Sequence, residues 1–504
     1  MKGYVSESSL RADGEFAGRD NPIFDDSESG NIGIRDIGNL NSPSNQDLTP
    51  STFDADYRVN DTSAADEHAD NNSDYNPFEH RHVERTNSDL GGLAHLLKSS
   101  LGTGILAMPN AFRSGGLLFG TIATLLVGYI CTHCVYILVD SSHTLCRRLR
   151  VPSLTYAETA EAAFKTGPFA LRRYSSAVRR FVDISLAITY YSAACVYIVF
   201  IAHSTKQVAD LHSGMDIDVR LYIAALLPPL LALGAIRDLK LLVPFSAAAN
   251  VCIVLSFAFT LFYVFREAPD LASRRLQPPS LGQLPLFFAT VIFAMEGIGV
   301  VMPVENSMRT PQHFLSCPGV LCVAMTTVVT LYTTIGFFGY AKYGDETLGS
   351  ITLNLPTEEP LAQAVKVLIA VAILFTYGLQ FYVPTEITWR LIRPSIPEKR
   401  LLSSEYAVRL IAVCLTVIVA ASVPHLGPII SLVGALFFST LGLIIPATVD
   451  AVTALQPTGA AAAPGRHRRA AKLVKDALIV AFAAMALLAG SYASIREMQD
   501  SAGK

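Results

Sequence analysis

Charge is scarce in this sequence. Of its 504 residues, 16% are Asp, Glu, Lys or Arg and 51% are hydrophobic, with a mean hydropathy of +0.39. That is too apolar for an ordinary soluble protein of this size. Cysteine is sparse: the eight residues mostly sit in apolar runs, Cys131 and Cys134 among them, so neither a disulfide framework nor a zinc knuckle is suggested. Walker A, nucleophile-elbow, metal-triad and dinucleotide patterns are all missing, which leaves no motif for an enzyme, a metal site or a cofactor and no basis for a nucleic-acid partner. Without an ATP-binding module, active transport by this chain needs an ion gradient. No apolar stretch of useful length precedes Leu93, so no N-terminal signal peptide is expected and the first span directs insertion itself.

What charge there is divides unevenly. Residues 1 to 89 hold 19 of the 42 acidic residues and only 7 of the 39 Lys and Arg. This segment is rich in Asp, Asn, Ser and Gly, a composition that cannot bury enough surface to fold, and it is expected to be a disordered acidic cytoplasmic tail. Within it Asn76-Pro77-Phe78 resembles a short ligand of endocytic adaptors, set against a plain linker as the alternative.

Residues 90 to 504 break into apolar runs of about 17 to 25 residues, the length that crosses a bilayer. Eleven are placed, near 93–111, 117–139, 180–205, 220–236, 241–265, 285–305, 319–340, 361–389, 405–423, 428–450 and 474–494. With the N-terminus cytoplasmic, the inside segments carry 21 Lys and Arg and the outside segments nine, the asymmetry of the positive-inside rule, and the C-terminus falls outside. The loop between the second and third spans contains Ala157 to Phe164, readable as an amphipathic helix at the membrane interface or as a solvated one.

Two spans are interrupted. The first carries Gly102-Thr103-Gly104 and Pro109, and the sixth carries Glu296-Gly297-Ile298-Gly299 and Pro303. Opened backbone survives at membrane depth only where it is buried in protein or lines a cavity. Two such segments five spans apart, and so of opposite orientation, point to a five-plus-five inverted repeat whose broken helices meet at a midplane site. The freed amides suit a carboxylate and the freed carbonyls suit an ammonium group, so a free amino acid matches both. The expected fold class is an all-α polytopic membrane protein of eleven transmembrane helices, with the first and sixth broken.

Ionisable residues at membrane depth are functional candidates by default. Histidine is the side-chain type that most readily exchanges a proton in the physiological range, which makes His95 a candidate; a backbone-bonded residue at the membrane edge is the competing reading. Glu296 sits inside the second break. Glu305 and Lys98 lie nearer span ends, where pairing or snorkelling is expected, and Asp183 and Asp450 read as interfacial. Among the aromatic and polar residues of the third and eighth spans, Tyr190, Tyr191 and Tyr197 read mainly as packing, while Tyr377 and Gln380 are selected as candidates. The expected substrate site is therefore Gly102, Thr103, Gly104, Glu296, Gly297, Gly299, Tyr377 and Gln380, with His95 and Glu296 as proton carriers.

The motifs carry a resemblance. His95-Leu96-Leu97-Lys98 followed by Leu101 to Pro109, Glu296 to Asn306, Gly349 to Pro356 and Thr376 to Glu386 resemble the signatures of the proton-coupled amino acid transporters of the amino acid/auxin permease group. The resemblance implies a LeuT-like fold, symport of small amino acids with protons, and a plasma-membrane or lysosomal home. It also places that family's first-span proton-coupling histidine on His95. Some members pair a third-span cysteine with one just after the Asn-Leu-Pro motif; here Cys195 matches the first, but Thr357, Glu358 and Glu359 occupy the other region, which puts that disulfide in doubt. Two other readings stay open: a nutrient sensor that signals through the tail, and sodium-coupled or facilitative transport.

Overall fold

A computed structural model describes residues 75–81, 86–100, 102–237, 239–267, 271–295, 297–456 and 466–502. Among them the chain is helical, with one isolated bridge between Asn87 and Met308. The first apolar run forms two helices, α1 (Asp89–Ser100) and α2 (Thr103–Gly115). At Gly116 φ is +77°, a backbone that favours glycine, and the chain turns there into α3 (Leu117–Leu149). Next come α4 (Tyr156–Thr166), α5 (Phe169–Arg172) and α6 (Ser175–Ser213). The fourth run is α7 (Val219–Ala225) and α8 (Leu227–Gly234), and the fifth is α9 (Leu239–Phe265). The sixth is again double, α10 (Leu284–Ala294) and α11 (Ile298–Ser307).

The second half of the bundle follows with α12 (Val320–Tyr343), α13 (Pro360–Ile392) and α14 (Leu401–Ser422). The tenth run starts as α15 (Leu426–Val433), loosens into π turns over Gly434–Phe438 and Thr440–Ile444, and ends as α16 (Ile445–Ala454). The last helix is α17 (Arg466–Ala502).

Among the described residues, nine segments are long and apolar enough to cross a membrane alone, against the eleven expected. The difference has a local cause in each case. The first run is cut into halves of 12 and 13 residues, each too short by itself. The fourth is cut at Leu226, where Pro228 and Pro229 in the first turn of α8 cannot continue the helix that precedes them.

Packing converges on α2, which lies against α10 and α12. Small residues allow the approach: a Cβ added at Gly336 would overlap the Phe112 ring, and one at Gly128 would overlap Val329, the pattern by which membrane helices draw close. The helix α13 runs along α6 and α9.

Three readings are corrected. The 157–164 helix is neither interfacial nor solvated: every residue of α4 from Tyr156 to Ala163 is buried, the helix packs on α6 and α16, and Thr155 and Glu158 close a capping box at its start. Asp183 is buried and pairs with Arg390 at 3.1 Å. Asp450 is fully buried, 2.6 Å from Lys472 and 3.2 Å from Lys475 on α17, with Ser141 of α3 beside it. Removing both lysines would leave a buried carboxylate unpaired, a change that costs about 3–5 kcal/mol. Lys472→Ala/Lys475→Ala is accordingly expected to lower the melting temperature of the detergent-solubilised protein by several degrees, and adding Asp450→Asn is expected to restore much of the loss.

The start of α1 is held by charge. The Asp89 carboxylate accepts from Thr310 at 2.6 Å and meets His313 at 2.7 Å. The Thr310 hydroxyl first, and His313 second, hold its carboxyl below the ordinary 3.8. A depressed carboxyl contributes stability above its unfolded value and loses it as pH falls through the folded one. Amide-exchange protection at the start of α1 is therefore expected to survive acidification to 3.8 and to decline only below it.

Candidate functional site

The two breaks meet. Neither α2 nor α11 has a side-chain cap at its start, Gly102 and Gly297 being the N-cap residues, so first-turn amides are left for another acceptor. A Cβ at Gly104 would stand 2.8 Å from the Ala294 Cα and 3.1 Å from its carbonyl oxygen. Backbone therefore touches backbone where the first run crosses the sixth. Gly297 faces Ser100 across the same gap, where an added Cβ would stand 3.7 Å from the Ser100 Oγ, while one at Gly102 would meet nothing within 4 Å among the described residues. Thr103 is buried at the first position of α2. Glu296 lies outside the described residues.

Three other helices close around the crossing. Tyr332 of α12 donates its hydroxyl to the Ser100 carbonyl, taking one of the oxygens that the break of the first run sets free. Tyr190 of α6 lies directly on the second break, its hydroxyl where a Cβ of Gly299 would be. On the far side of α10 a small cavity opens beside Met295 and Gly297, walled by Cys131 of α3 and by Phe438 and Leu443 of the π segment. Gly434 lets that segment come onto the Ala289 carbonyl. Wide helical turns of this kind recur at functional sites.

The remaining expected residues divide. Gln380 of α13 donates to the Tyr197 hydroxyl of α6 at 3.4 Å. Tyr197 is two turns beyond Tyr190 on the same helix, so Gln380 reaches the helix that covers Gly299. Tyr377 goes elsewhere. It is fully buried, stacked on Phe381, and its hydroxyl lies 3.3 Å from Thr416 of α14. The α13 face that carries Tyr377 thus packs against α14, which accounts for its burial without a ligand. His95 is exposed on α1, next to the buried Leu96. Lys98 extends to Ser246 of α9 at 2.7 Å, so it pairs, as its place near a span end led one to expect. The Cys195 thiol is buried and donates to the Thr416 carbonyl.

Glu305, expected to pair or snorkel, is paired at the Asp89 end of the bundle, with partners that the sequence reading did not name. Glu305 of α11 is fully buried, with Arg81 at 2.9 Å and His143 of α3 at 2.8 Å on the same oxygen. Arg81 also donates to the Pro152 carbonyl at 2.8 Å. Phe78 sits edge-on to the His143 ring, with the Arg81 guanidinium over its own ring. Asn76-Pro77-Phe78 is therefore a turn used within the protein: Pro77 is buried and the Asn76 side chain accepts from the Phe78 amide. In this arrangement the turn is not free to serve as the ligand of a cytoplasmic adaptor.

Nine membrane-length segments among the described residues, with two interrupted runs that meet at Gly104 and Ala294, define a multi-pass membrane protein. The solved structure of the inward facing conformation of Mhp1 has the same overall fold, with a TM-score of 0.51 at 10% identity, covering 84% of this chain and 92% of that one. The chain belongs to the family described as transmembrane amino acid transporter protein, whose model matches residues 85–496. It is 38% identical over 468 residues to the proton-coupled amino acid transporter-like protein pathetic of Drosophila melanogaster, covering 93% of this chain and 97% of the relative. It is 26% identical over 398 residues to the amino acid transporter ANT1 of Arabidopsis thaliana, covering 76% of this chain and 88% of that one.

Proposed function

We propose that the protein is a secondary active transporter that moves small neutral amino acids together with protons. The observation that carries this reading is the crossing of Gly104 on Ala294 with Gly297 beside Ser100. It brings uncapped helix starts and opened carbonyls to one place, and these match the two charged ends of an amino acid. Tyr190 over Gly299 favours a small side chain, because it fills space next to the second break. On this reading Gly102, Thr103, Gly104, Gly297, Gly299 and Gln380 bind substrate, joined by Tyr190, and Glu296 stands within the second break. His95 carries the coupled proton, a role in keeping with its exposure and with the similarity to the proton-coupled amino acid transporter-like protein of Drosophila melanogaster.

The eleven placed runs then form two inverted sets of five and a final helix. The Lys and Arg distribution favours a cytoplasmic N-terminus, and the family resemblance favours the plasma membrane or the lysosomal membrane.

The test is uptake by the reconstituted full-length protein over a panel of amino acids, with and without an inward proton gradient. Gradient-stimulated uptake of small neutral amino acids, unchanged when sodium is replaced by choline, is expected. Absence of such uptake overturns the reading. His95→Ala is expected to lose the gradient-stimulated part; unchanged coupling would move the role to another residue, Glu296 first.

A further inference from the structure

We propose that the Glu305–His143 pair is a proton-binding site for which Arg81 and a proton compete, so that release of the 75–81 segment from this end of the bundle takes up one proton at the pair.

The geometry is that of a plug in a socket. The Glu305 side chain is fully buried, and among the described residues one of its oxygens is engaged, by Arg81 and His143 together, while Oε2 is buried with no hydrogen-bond partner. His143 is fixed in the body of α3, whereas Arg81 arrives on a short turn outside the helices, anchored by Pro152 and by its own Phe78. The cation is thus the removable part. A buried carboxylate stripped of its cation neutralises by taking a proton, onto itself or onto an imidazole that shares it. The exchange is balanced in charge: a guanidinium leaves the socket, and a proton from water replaces it without any further ion.

The neighbouring titratable groups do not supply that compensation. Tyr75 comes from the segment itself, Cys146 from α3 and Glu158 from α4. Glu158 is committed to Arg179 and to the capping box at Thr155, and neither Tyr75 nor Cys146 carries positive charge.

The same end of the chain is stitched to α11 a few residues on. The Asn87 amide donates to the Ser307 carbonyl and the Arg309 amide to the Asn87 carbonyl, each at 2.8 Å. Departure of Arg81 therefore bears on how α1 and α11, one half from each broken run, move at this end. The proposal goes beyond the transport reading and is read by labelling, so either can fail without the other.

Cys146 is the built-in reporter, since it is fully buried and lies close enough to feel the charges of both Arg81 and Glu305. In the full-length detergent-solubilised protein, its modification by N-ethylmaleimide is followed by peptide mass spectrometry at about pH 7.5 and about pH 6. Each rate is divided by that of Arg81→Ala at the same pH, because the wild-type thiol reacts only once Arg81 has left and so in the surroundings that the variant reproduces. The wild-type ratio is expected to be about a tenth or less at the higher pH, as for a site reached only by local opening, and to rise several-fold at the lower.

Glu305→Gln, a mimic of the protonated socket, is expected to give a ratio near one at both values, and Glu305→Asp to restore protection. A wild-type ratio that does not change with pH, or a Glu305→Gln protein as protected as the wild type, overturns the proposal. Should Arg81→Ala not be recovered as a monodisperse species, Arg81→Gln serves as the divisor.

Discussion

Gly104→Val is expected to reduce amino-acid uptake to background while the protein still inserts and purifies as a folded species. The reason is what a valine would meet. At Gly336 or Gly128 an added Cβ would meet a side chain, the Phe112 ring or Val329. At Gly104 it meets the Cα and the carbonyl of Ala294 at 2.8 and 3.1 Å, and main chain of α10 cannot yield without moving the helix. Overpacking of this kind costs about 1–3 kcal/mol, and it falls where backbone of the first run touches backbone of the sixth.

Relief comes by parting α2 from α10. That parting also moves Ser100 from Gly297 and the uncapped starts of α2 and α11 from each other, so a ligand held by both would lose one set of partners. About 1.4 kcal/mol is already tenfold in binding. Gly102→Ala is the matching control: nothing among the described residues lies within 4 Å of its Cβ, and its effect is expected to be several-fold weaker. Equal losses in the two variants would show that the open backbone, not the crossing, is what uptake needs. The measurement is initial uptake rate per folded protein, with folding judged by gel filtration.

The breaks were legible because their cause is local. Gly102-Thr103-Gly104 and Gly297-Ile298-Gly299 write an interruption into runs whose length alone would call for one continuous helix, and α1, α2, α10 and α11 end at those residues. What faces the breaks was not legible, because it depends on how α6, α12 and α13 are rotated. Tyr377 and Tyr190 look alike in sequence, each an aromatic hydroxyl in an apolar helix, yet one is turned to Thr416 and the other to Gly299. Spacing within α13 placed Tyr377 and Gln380 on related faces, but it gave no sign that one would meet Thr416 of α14 and the other Tyr197 of α6.

Arg81, His143 and Glu305 are 62 and 162 residues apart along the chain, and only Glu305 stood out as a carboxylate in an apolar run. The composition of residues 1 to 89 spoke against structure, but it averages over the segment and misses a short turn of Asn76 to Arg81 whose proline and arginine are engaged by the helices. Nothing local marks the turn, because Pro, Phe and Arg recur elsewhere in residues 1 to 89 and proline is common in segments that do not fold.

Tyr190 is the second residue on which a large effect is expected, and it answers which side chain stands over the glycines. In the Gly299→Val protein the new side chain is placed on the Tyr190 hydroxyl, and because the tyrosine is buried in α6 its ring has little room to retreat. Uptake is expected to fall at least tenfold, a loss equivalent to about 1.4 kcal/mol. The obstruction is one named side chain, so the loss is reversible in a way that the Gly104 loss is not: adding Tyr190→Ala to Gly299→Val is expected to recover a substantial part of the rate. Gly104→Val, which meets backbone, is not expected to be rescued by Tyr190→Ala.

Tyr190→Ala alone makes the sharper claim. It removes an aromatic ring beside the second break, and if that ring bounds the substrate, the preference among amino acids shifts toward larger side chains, with the smallest losing affinity as their contact disappears. A pocket that loses one wall discriminates by the apolar area it still covers, worth about 25 cal/mol per Å², so the gain should grow with side-chain size across an aliphatic series. Competition of unlabelled glycine, alanine, valine and leucine against one labelled substrate measures this directly. An unchanged order of competition, with uptake otherwise intact, would mean that Tyr190 supports α11 without bounding the ligand, and the size limit would have to lie on the Gln380 side of α6.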